Sequence, residues 1–428
     1  LPSVHPRLSP ELPEHVDVAI VGGGIIGISS AYHLARVGIR VAVFEKGSLG
    51  CEQSSRNWGW VRTLGRDLPE VPLAIRSNQL WGDIQHQIDV GFRRTGMLYL
   101  QENEADAIAH QKWIDAAQIY GLDAELLSDA VTKKMLPETA KPWHGAMSSK
   151  TDGVAEPALA TAAIAKLARE AGALIFEQCA VRGVEQSAGK VSALVTEAGT
   201  VKTSTVLVAA GAWSRLFCGN LGANFPQLKV RGSVLRTTPI DAGSSIAING
   251  KNFTCRKRAD GGYTVSQFGA SMADMVPDSF RLFRYFMRTW LANRSFVRVR
   301  FGKRFFEELA QPRRFALDTQ SPFEKHRVLD PLPSEMGNRQ AWQRLTEAFP
   351  IFNHARIAQA WAGYIDVTPD AMPVMDAVPD VPGLFLASGF SGHGFGIGPA
   401  AGEAMAQLVR GVATSVDLHP FRYDRYGT

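Results

Sequence analysis

The stretch Val16–Glu45, VDVAIVGGGIIGISSAYHLARVGIRVAVFE, constrains the fold of this chain more than any other. Its pattern predicts a buried strand over Val16–Val21, a glycine turn, a helix to about Val37 and a second buried strand over Val41–Phe44. The glycines fall as Gly22-x-Gly24-x-x-Gly27. Gly22 permits the sharp strand-to-helix turn, Gly24 lets a pyrophosphate approach the backbone, and Gly27 lets the helix pack close to the sheet. The start of the helix, Ile25 and Ile26, offers free N–H groups and a partial positive charge to phosphates. Glu45 ends the second strand, where a carboxylate can accept hydrogen bonds from a ribose. A glycine turn in some other α/β unit would not need that acid. The glycine run, His33 and Arg36 argue against a membrane span.

A length of 428 residues predicts two or three domains with an ample core. The 45% hydrophobic and 20% charged content is that of an ordinary globular enzyme. Cys51, Cys179, Cys218 and Cys255 are scattered without a CxxC pair, so neither a metal site nor a disulfide scaffold is expected. No signal peptide pattern is visible. Residues 1–14 are proline-rich and predicted to be a surface arm. Lys46–Arg62, KGSLGCEQSSRNWGWVR, reads as a loop leading into a helix. Its Ser54, Ser55, Arg56 and Asn57 can supply hydroxyl, guanidinium and amide donors to a diphosphate, or form a solvated surface loop.

Three further segments continue the pattern begun by the glycine motif, Glu45 and the serine-rich loop ending at Gly59. They are TVLVAAGAWS (Thr205–Ser214), WAGYIDVTPDAMPVMD (Trp361–Asp376) and GFSGHGFGIGPAAGE (Gly389–Glu403). In this order they resemble the D-amino-acid oxidase (DAO) family of flavoproteins, which includes glycine oxidase, sarcosine oxidase and bacterial D-amino-acid dehydrogenases. The resemblance implies an α/β (α+β) fold: a Rossmann-like FAD-binding domain (15–85, 151–225 and 355–428) with a discontinuous, antiparallel-sheet substrate domain (86–150 and 226–354). It implies FAD, bound non-covalently. Relatives with covalent flavin use a histidine of the N-terminal loop or a cysteine near the C-terminus. Lys46–Arg62 has no His, Ile351–Thr428 has no Cys, and Cys51 lies too early in the loop. Lys46, Val181, Ala210, Gly211, Gly389, Gly392, His393, Gly394 and Phe395 are the further cofactor residues the family pattern implies. A helix predicted from about Pro399 would turn its positive end to the flavin.

In the family, the substrate's α-carbon lies against the flavin and the protein must hold a carboxylate. Glycine-oxidase-like members use an arginine two residues after the Trp-Ala-Gly segment; here that position is Ile365, preceded by Tyr364. The clamp is therefore expected from Arg256, Arg258 or Arg62, with hydroxyls from Tyr263 and Tyr364, an apolar wall from Trp58, and His393 facing the flavin or the substrate. The expected reaction is oxidative deamination of a D-amino acid, with secondary amines (opines, imino acids, N-substituted glycines) and 2-hydroxy acids as alternatives.

Phe280–Arg304 carries Arg281, Arg284, Arg288, Arg294, Arg298, Arg300, Lys303 and Arg304 with no acid, and aromatics recur between them at helical spacing. Within a basic insertion at 274–310, this is the pattern of a membrane-surface helix, or of a helix packed on the protein with a solvated basic face. No nucleic-acid-binding module accompanies it. The membrane reading implies a cytoplasmic dehydrogenase, peripheral on the inner face of a bacterial membrane, that passes electrons to a quinone or other acceptor.

Overall fold

The computed structural model describes residues 11–267, 271–293 and 297–427. The apolar run around the glycine motif becomes β1 (Val18–Val21), buried along its length, followed by α1 (Ile25–Ala35) and β2 (Val41–Phe44). A strand apolar on both faces needs cover on both faces, the condition of a parallel sheet between layers. The sheet has six strands in the order Val374–Ala377, Leu384–Ser388, Val206–Val208, β1, β2, Leu174–Phe176. All neighbours pair parallel except the edge strand Val374–Ala377. The register places Val21 opposite both Phe44 and Val208, and Val208 opposite Leu386. The carboxyl ends of four strands therefore finish on one level.

The helices α1, Val71–Gln87, Pro157–Glu170 and Gly394–Val409 bury one face of this sheet. The antiparallel strands Val181–Ser187, Lys190–Thr196 and Gly199–Lys202 contribute to the core on the other. Contact between α1 and Gly394–Val409 is close enough that a β-carbon at Gly402 would overlap Ser29. The C-terminal helix starts at Gly394, five residues before the start predicted at Pro399, which lies inside it. Tertiary contacts override the poor helix propensity of Gly394-Phe395-Gly396: Ser77 Oγ and Trp81 Nε1 both donate to the carbonyl of Gly396.

A second, larger sheet runs Val297–Arg300, Ser271–Asp274, Leu228–Thr237, Tyr263–Ser266, Phe253–Lys257, Ala247–Gly250, Met97–Gln101, Gly145–Ser149, Glu125–Ser128. It is antiparallel apart from two pairings, Ala247–Gly250 with Met97–Gln101 and Ser271–Asp274 with Val297–Arg300. The strand Ile357–Val367, assigned from sequence to the C-terminal nucleotide-binding segment, pairs instead with Leu228–Thr237 of this sheet. It thus carries the Trp361–Val367 motif from one sheet toward the other.

The basic insertion is broken into short elements where one helix was expected. They are the helices Pro277–Arg281 and Phe283–Asn293, the strand Val297–Arg300 and the helix Lys303–Ala310. Arg294 and residues 1–10 of the proline-rich arm lie outside the described residues. Acids of the insertion that flank Phe280–Arg304 neutralise part of its charge: Arg281 pairs with Asp278, Arg300 with Asp274, Lys303 with Glu307 and Arg304 with Glu308.

Candidate functional site

A cavity of about 580 Å³ opens at the carboxyl ends of the parallel strands, lined by Val21, Phe44, Ala209 and Ala387. In open α/β sheets this is where ligands bind. The cavity runs from the glycine motif to the large sheet, which contributes Val234, Ser266, Tyr364 and Ile365.

At the first end, Glu45 accepts from the backbone N–H of Gly23 and of Gly47, each at 2.7 Å. Burial raises its pKa, and those two N–H groups oppose the rise. Each carboxylate oxygen keeps a further lone pair for a hydroxyl. Val181 and Lys46 line the same cavity. Lys46 is held by Glu52 at 2.7 Å and lies 4.8 Å from the Trp213 ring centroid.

The turn into α1 is what the glycine spacing requires. Gly22 has φ +107°, and a β-carbon there would overlap the carbonyl oxygen of Ala209. Gly27 does not line the cavity; its missing β-carbon leaves room for the carbonyl of Gly22. Gly24, Ile25 and Ile26 form the wall, and Ser54 Oγ, on the short helix α2 (Gln53–Arg56), accepts from the N–H of Ile25 at 2.9 Å. Ser54 is therefore placed to hand its own proton to a phosphate oxygen.

Other members of the loop work differently from expectation. Asn57 lines the cavity, yet its amide donates to the carbonyls of Gln53 and Ser54 and accepts from the N–H of Gly59, holding the loop's own shape. Arg56 also lines it but pairs with Asp330 at 2.6 Å and donates to the carbonyl of Ala362. Ser55 is off the cavity, bonded to the carbonyl of Glu52.

At the far end, Gly392, His393, Gly394 and Phe395 line the wall, with His393 at the start of the C-terminal helix. Ala210 and Gly211 face the same space. Gly389 stands behind it: φ is +77°, and its N–H donates to Asp366 Oδ2 at 2.7 Å. Asp366 was not expected as a site residue. Its carboxylate also accepts from Ser388 Oγ and Gln227 Nε2, and Gln53 donates to its second oxygen at 2.8 Å. Burial pushes its pKa up to about 6 against these bonds.

Glu70 is a second acid that sequence reasoning missed. Fully buried, it lies 2.9 Å from His393 Nδ1 and 3.3 Å from Arg66. Burial opposes its ionisation, but His393, Arg66 and Arg62 together pull its pKa down to about 2. An ionised carboxylate only accepts, so Nδ1 carries the proton and Nε2 remains as the ring's other hydrogen-bonding atom. The only sequence signal was an acid three residues beyond Asp67 at the start of a helix, with nothing to tie it to His393.

Three of the residues expected at the substrate side fall elsewhere. Arg256 is buried off the cavity in a bidentate pair with Glu156 (2.8 and 3.1 Å) and donates to the carbonyl of Trp58 at 2.6 Å. It props the loop from beneath, and a β-carbon at Gly59 would crowd its guanidinium. Arg258 is occupied by Asp260 and Thr264. Tyr263 donates to the carbonyl of Ser244 within the core of the large sheet. Trp58, Tyr364 and His393 do line the cavity, and so does Arg62.

Comparison with known proteins agrees with this architecture. The family model described as DAO, FAD dependent oxidoreductase, matches residues 17–408. Glycine oxidase of Geobacillus kaustophilus is 28% identical over 423 residues, 96% of this chain and 97% of the relative. The solved structure of L-amino acid deaminase from Proteus myxofaciens, in complex with anthranilate, is 30% identical with a TM-score of 0.94, covering 97% of this chain and 95% of that one. The corresponding enzyme of Proteus vulgaris is also 30% identical, with a TM-score of 0.93 and coverage of 97% and 98%. The cavity fits the FAD of that family: a β-carbon-free glycine turn and helix start for phosphates, an anchored acid with spare lone pairs for a ribose, and a helix start at the opposite end.

Two outcomes follow from this geometry. Replacing Gly24 by Val puts bulk where phosphates approach, and the purified variant should carry little flavin, read from its visible absorbance. Glu70→Gln should lower the thermal midpoint at neutral pH. The carboxyl is more acidic folded (about 2) than unfolded (4.5), so its stabilisation is complete above 4.5 and lost as pH falls toward 2. The gap between wild type and variant should therefore narrow across that window in thermal melts.

Proposed function

The chain belongs to the DAO family of FAD-dependent oxidoreductases, and from that premise we propose that it oxidises an α-amino acid whose carboxylate is held by Arg62. FAD, when bound, supplies the two-electron acceptor. The amine becomes an imine, which water hydrolyses to a 2-oxo acid and ammonia. The observation that carries the reading is one of charge. Among the described residues, four Lys or Arg line the cavity: Lys46, Arg56, Arg62 and Arg66. The first, second and fourth are ion-paired to Glu52, Asp330 and Glu70. Among the described residues Arg62 has no carboxylate partner; it donates to the carbonyl of Leu64 and lies 5.9 Å from the Tyr99 ring centroid. A cavity-lining arginine that makes no ion pair is suited to an anion supplied by the substrate. Trp58 and Trp60, edge to face at 4.9 Å, and Ile365 supply apolar walls that exclude water.

The D hand expected from sequence rests on the family resemblance alone. Likeness to the two Proteus L-amino acid deaminases, at 30% identity over nearly the whole chain, favours the L hand. Secondary amines of the sarcosine type are the alternative, supported by a 24% identical relative described as sarcosine oxidase subunit beta. Non-covalent FAD is supported by Cys51, the sole cysteine lining the cavity among the described residues, whose thiol is a poor nucleophile because burial raises its pKa. Arg62→Met should weaken amino-acid binding by about 1.5–3 kcal/mol, the range for hydrogen bonds to charged groups. The loss should vanish for an amine lacking the carboxylate, compared by stopped-flow flavin reduction.

The electron acceptor is proposed to be membrane-borne. On the helix Phe283–Asn293, Phe283, Met287, Trp290 and Leu291 form an i, i+4, i+7, i+8 stripe, and all four are exposed rather than packed on the protein. Arg284, Arg288 and Arg298 have no carboxylate partner among the described residues. Aromatics at the acyl boundary with arginines at anionic head groups make an interfacial anchor. No helix among the described residues is long and apolar enough to cross a membrane. Wild-type protein should sediment with anionic vesicles at low salt. Charge reversal at Arg284 and Arg288 should weaken this by about 1 kcal/mol or more per residue. Indifference to vesicles, with fast turnover on oxygen alone, would contradict the anchor.

A further inference from the structure

A second cavity, of about 300 Å³, shares a wall with the first. Arg304 lines it and stacks at 4.0 Å on the ring of Tyr364, which faces the first cavity. Gln227 lines it and donates to Asp366 Oδ2 at 3.3 Å.

Its lining is strongly cationic. Among the described residues, six Lys or Arg side chains face two carboxylates, Asp278 and Glu308. Each acid already serves two cations: Asp278 pairs with Arg215 (2.6 Å) and Arg281 (3.1 Å), and Glu308 with Arg304 (2.6 Å) and Lys229 (3.3 Å). Burial favours the neutral acids, but their cationic neighbours hold both below the usual carboxylate range, so both are ionised. The other two cations, Arg313 and Arg314, are exposed and have no carboxylate partner among the described residues. Paired guanidinium groups in a concave site match the several acceptor oxygens and charge of a phosphate.

We propose that this cavity is a binding site for a phosphate-bearing anion. Its position identifies the source. Phe280 and Leu309, chain neighbours of the lining residues Arg281 and Glu308, are exposed apolar side chains. A phosphate seated among the arginines, with hydrocarbon next to it, is the chemistry of an anionic phospholipid. The phosphate site stands on the cavity itself; the lipid source rests on the membrane reading above.

The test uses the full-length FAD-loaded protein and the exposed double variant Arg313→Glu/Arg314→Glu, with flavin content as the check on folding. Calorimetry with inorganic phosphate and with glycerol 3-phosphate, at constant ionic strength, reads the site directly. Sedimentation with phosphatidylglycerol or phosphatidylcholine vesicles reads the source. Wild type should bind the phosphate ester and the phosphatidylglycerol vesicles. Both should weaken roughly tenfold or more in the variant, the scale for losing hydrogen bonds to a charged group, and the ester should compete with the vesicles. Ester binding without competition assigns the site to a soluble phosphate and removes the lipid source. Absence of any phosphate or vesicle binding that depends on Arg313 and Arg314 overturns the proposal. Amino-acid oxidation with a soluble dye, measured on both proteins, reports the first cavity separately.

Discussion

Most of the site hangs on one buried carboxylate. Asp366 has almost no exposure, and an acid in that position is costly unless its oxygens are bonded. Here they receive the N–H of Gly389, the hydroxyl of Ser388 and the amides of Gln227 and Gln53. Those four donors belong to the C-terminal glycine loop, to the strand before it, to the large sheet's approach and to α2. Gln227 also donates to the carbonyl of Gly211, and Gln53 accepts from the N–H of Ala212, so the Ala-Gly-Ala turn joins the same network. One side chain thus ties together the loops that must form a common wall around FAD. It sits on the long strand Ile357–Val367, which pairs with the large sheet.

A parallel arrangement supports the opposite wall. Arg256 and Glu156 form a buried bidentate pair beneath Trp58, and Arg93 and the N–H of Ala259 complete the carboxylate's bonds. Removing either partner would strand a buried charge, so such pairs fix geometry more than they add stability. Above it lies the loop that carries Trp58 and, two residues past Trp60, Arg62. Arg62, which makes no ion pair among the described residues, thus follows a loop that a buried ion pair anchors at Trp58.

The nucleotide half of the site was legible in the sequence because its signals are local. Gly22, Gly24 and Glu45 sit in one strand–turn–helix unit whose period and glycine spacing specify the backbone. The substrate half was not, because arginine identity says nothing about pairing. Arg256, Arg258 and Arg62 look alike in a sequence, and their partners in the fold decide their roles: Glu156, 100 positions away, for the first, nearby Asp260 for the second, and no ion pair among the described residues for the third. Glu70 escaped for the same reason, being 323 positions from His393. Pro399 misled because proline usually marks the first turn of a helix; here packing against Ser77, Trp81 and α1 fixes five further residues before it. The basic insertion gave its composition correctly but concealed its breaks and the acids at its margins.

The most direct test of an amino-acid substrate is anaerobic reduction of the bound flavin. The protein is mixed with matched panels of L- and D-amino acids, N-methyl amino acids and 2-hydroxy acids, and loss of the oxidised flavin absorbance is followed. The account predicts rapid bleaching by α-amino acids, with the L series ahead of the D series. Bleaching by hydroxy acids alone, or by no amine in the panel, would contradict it.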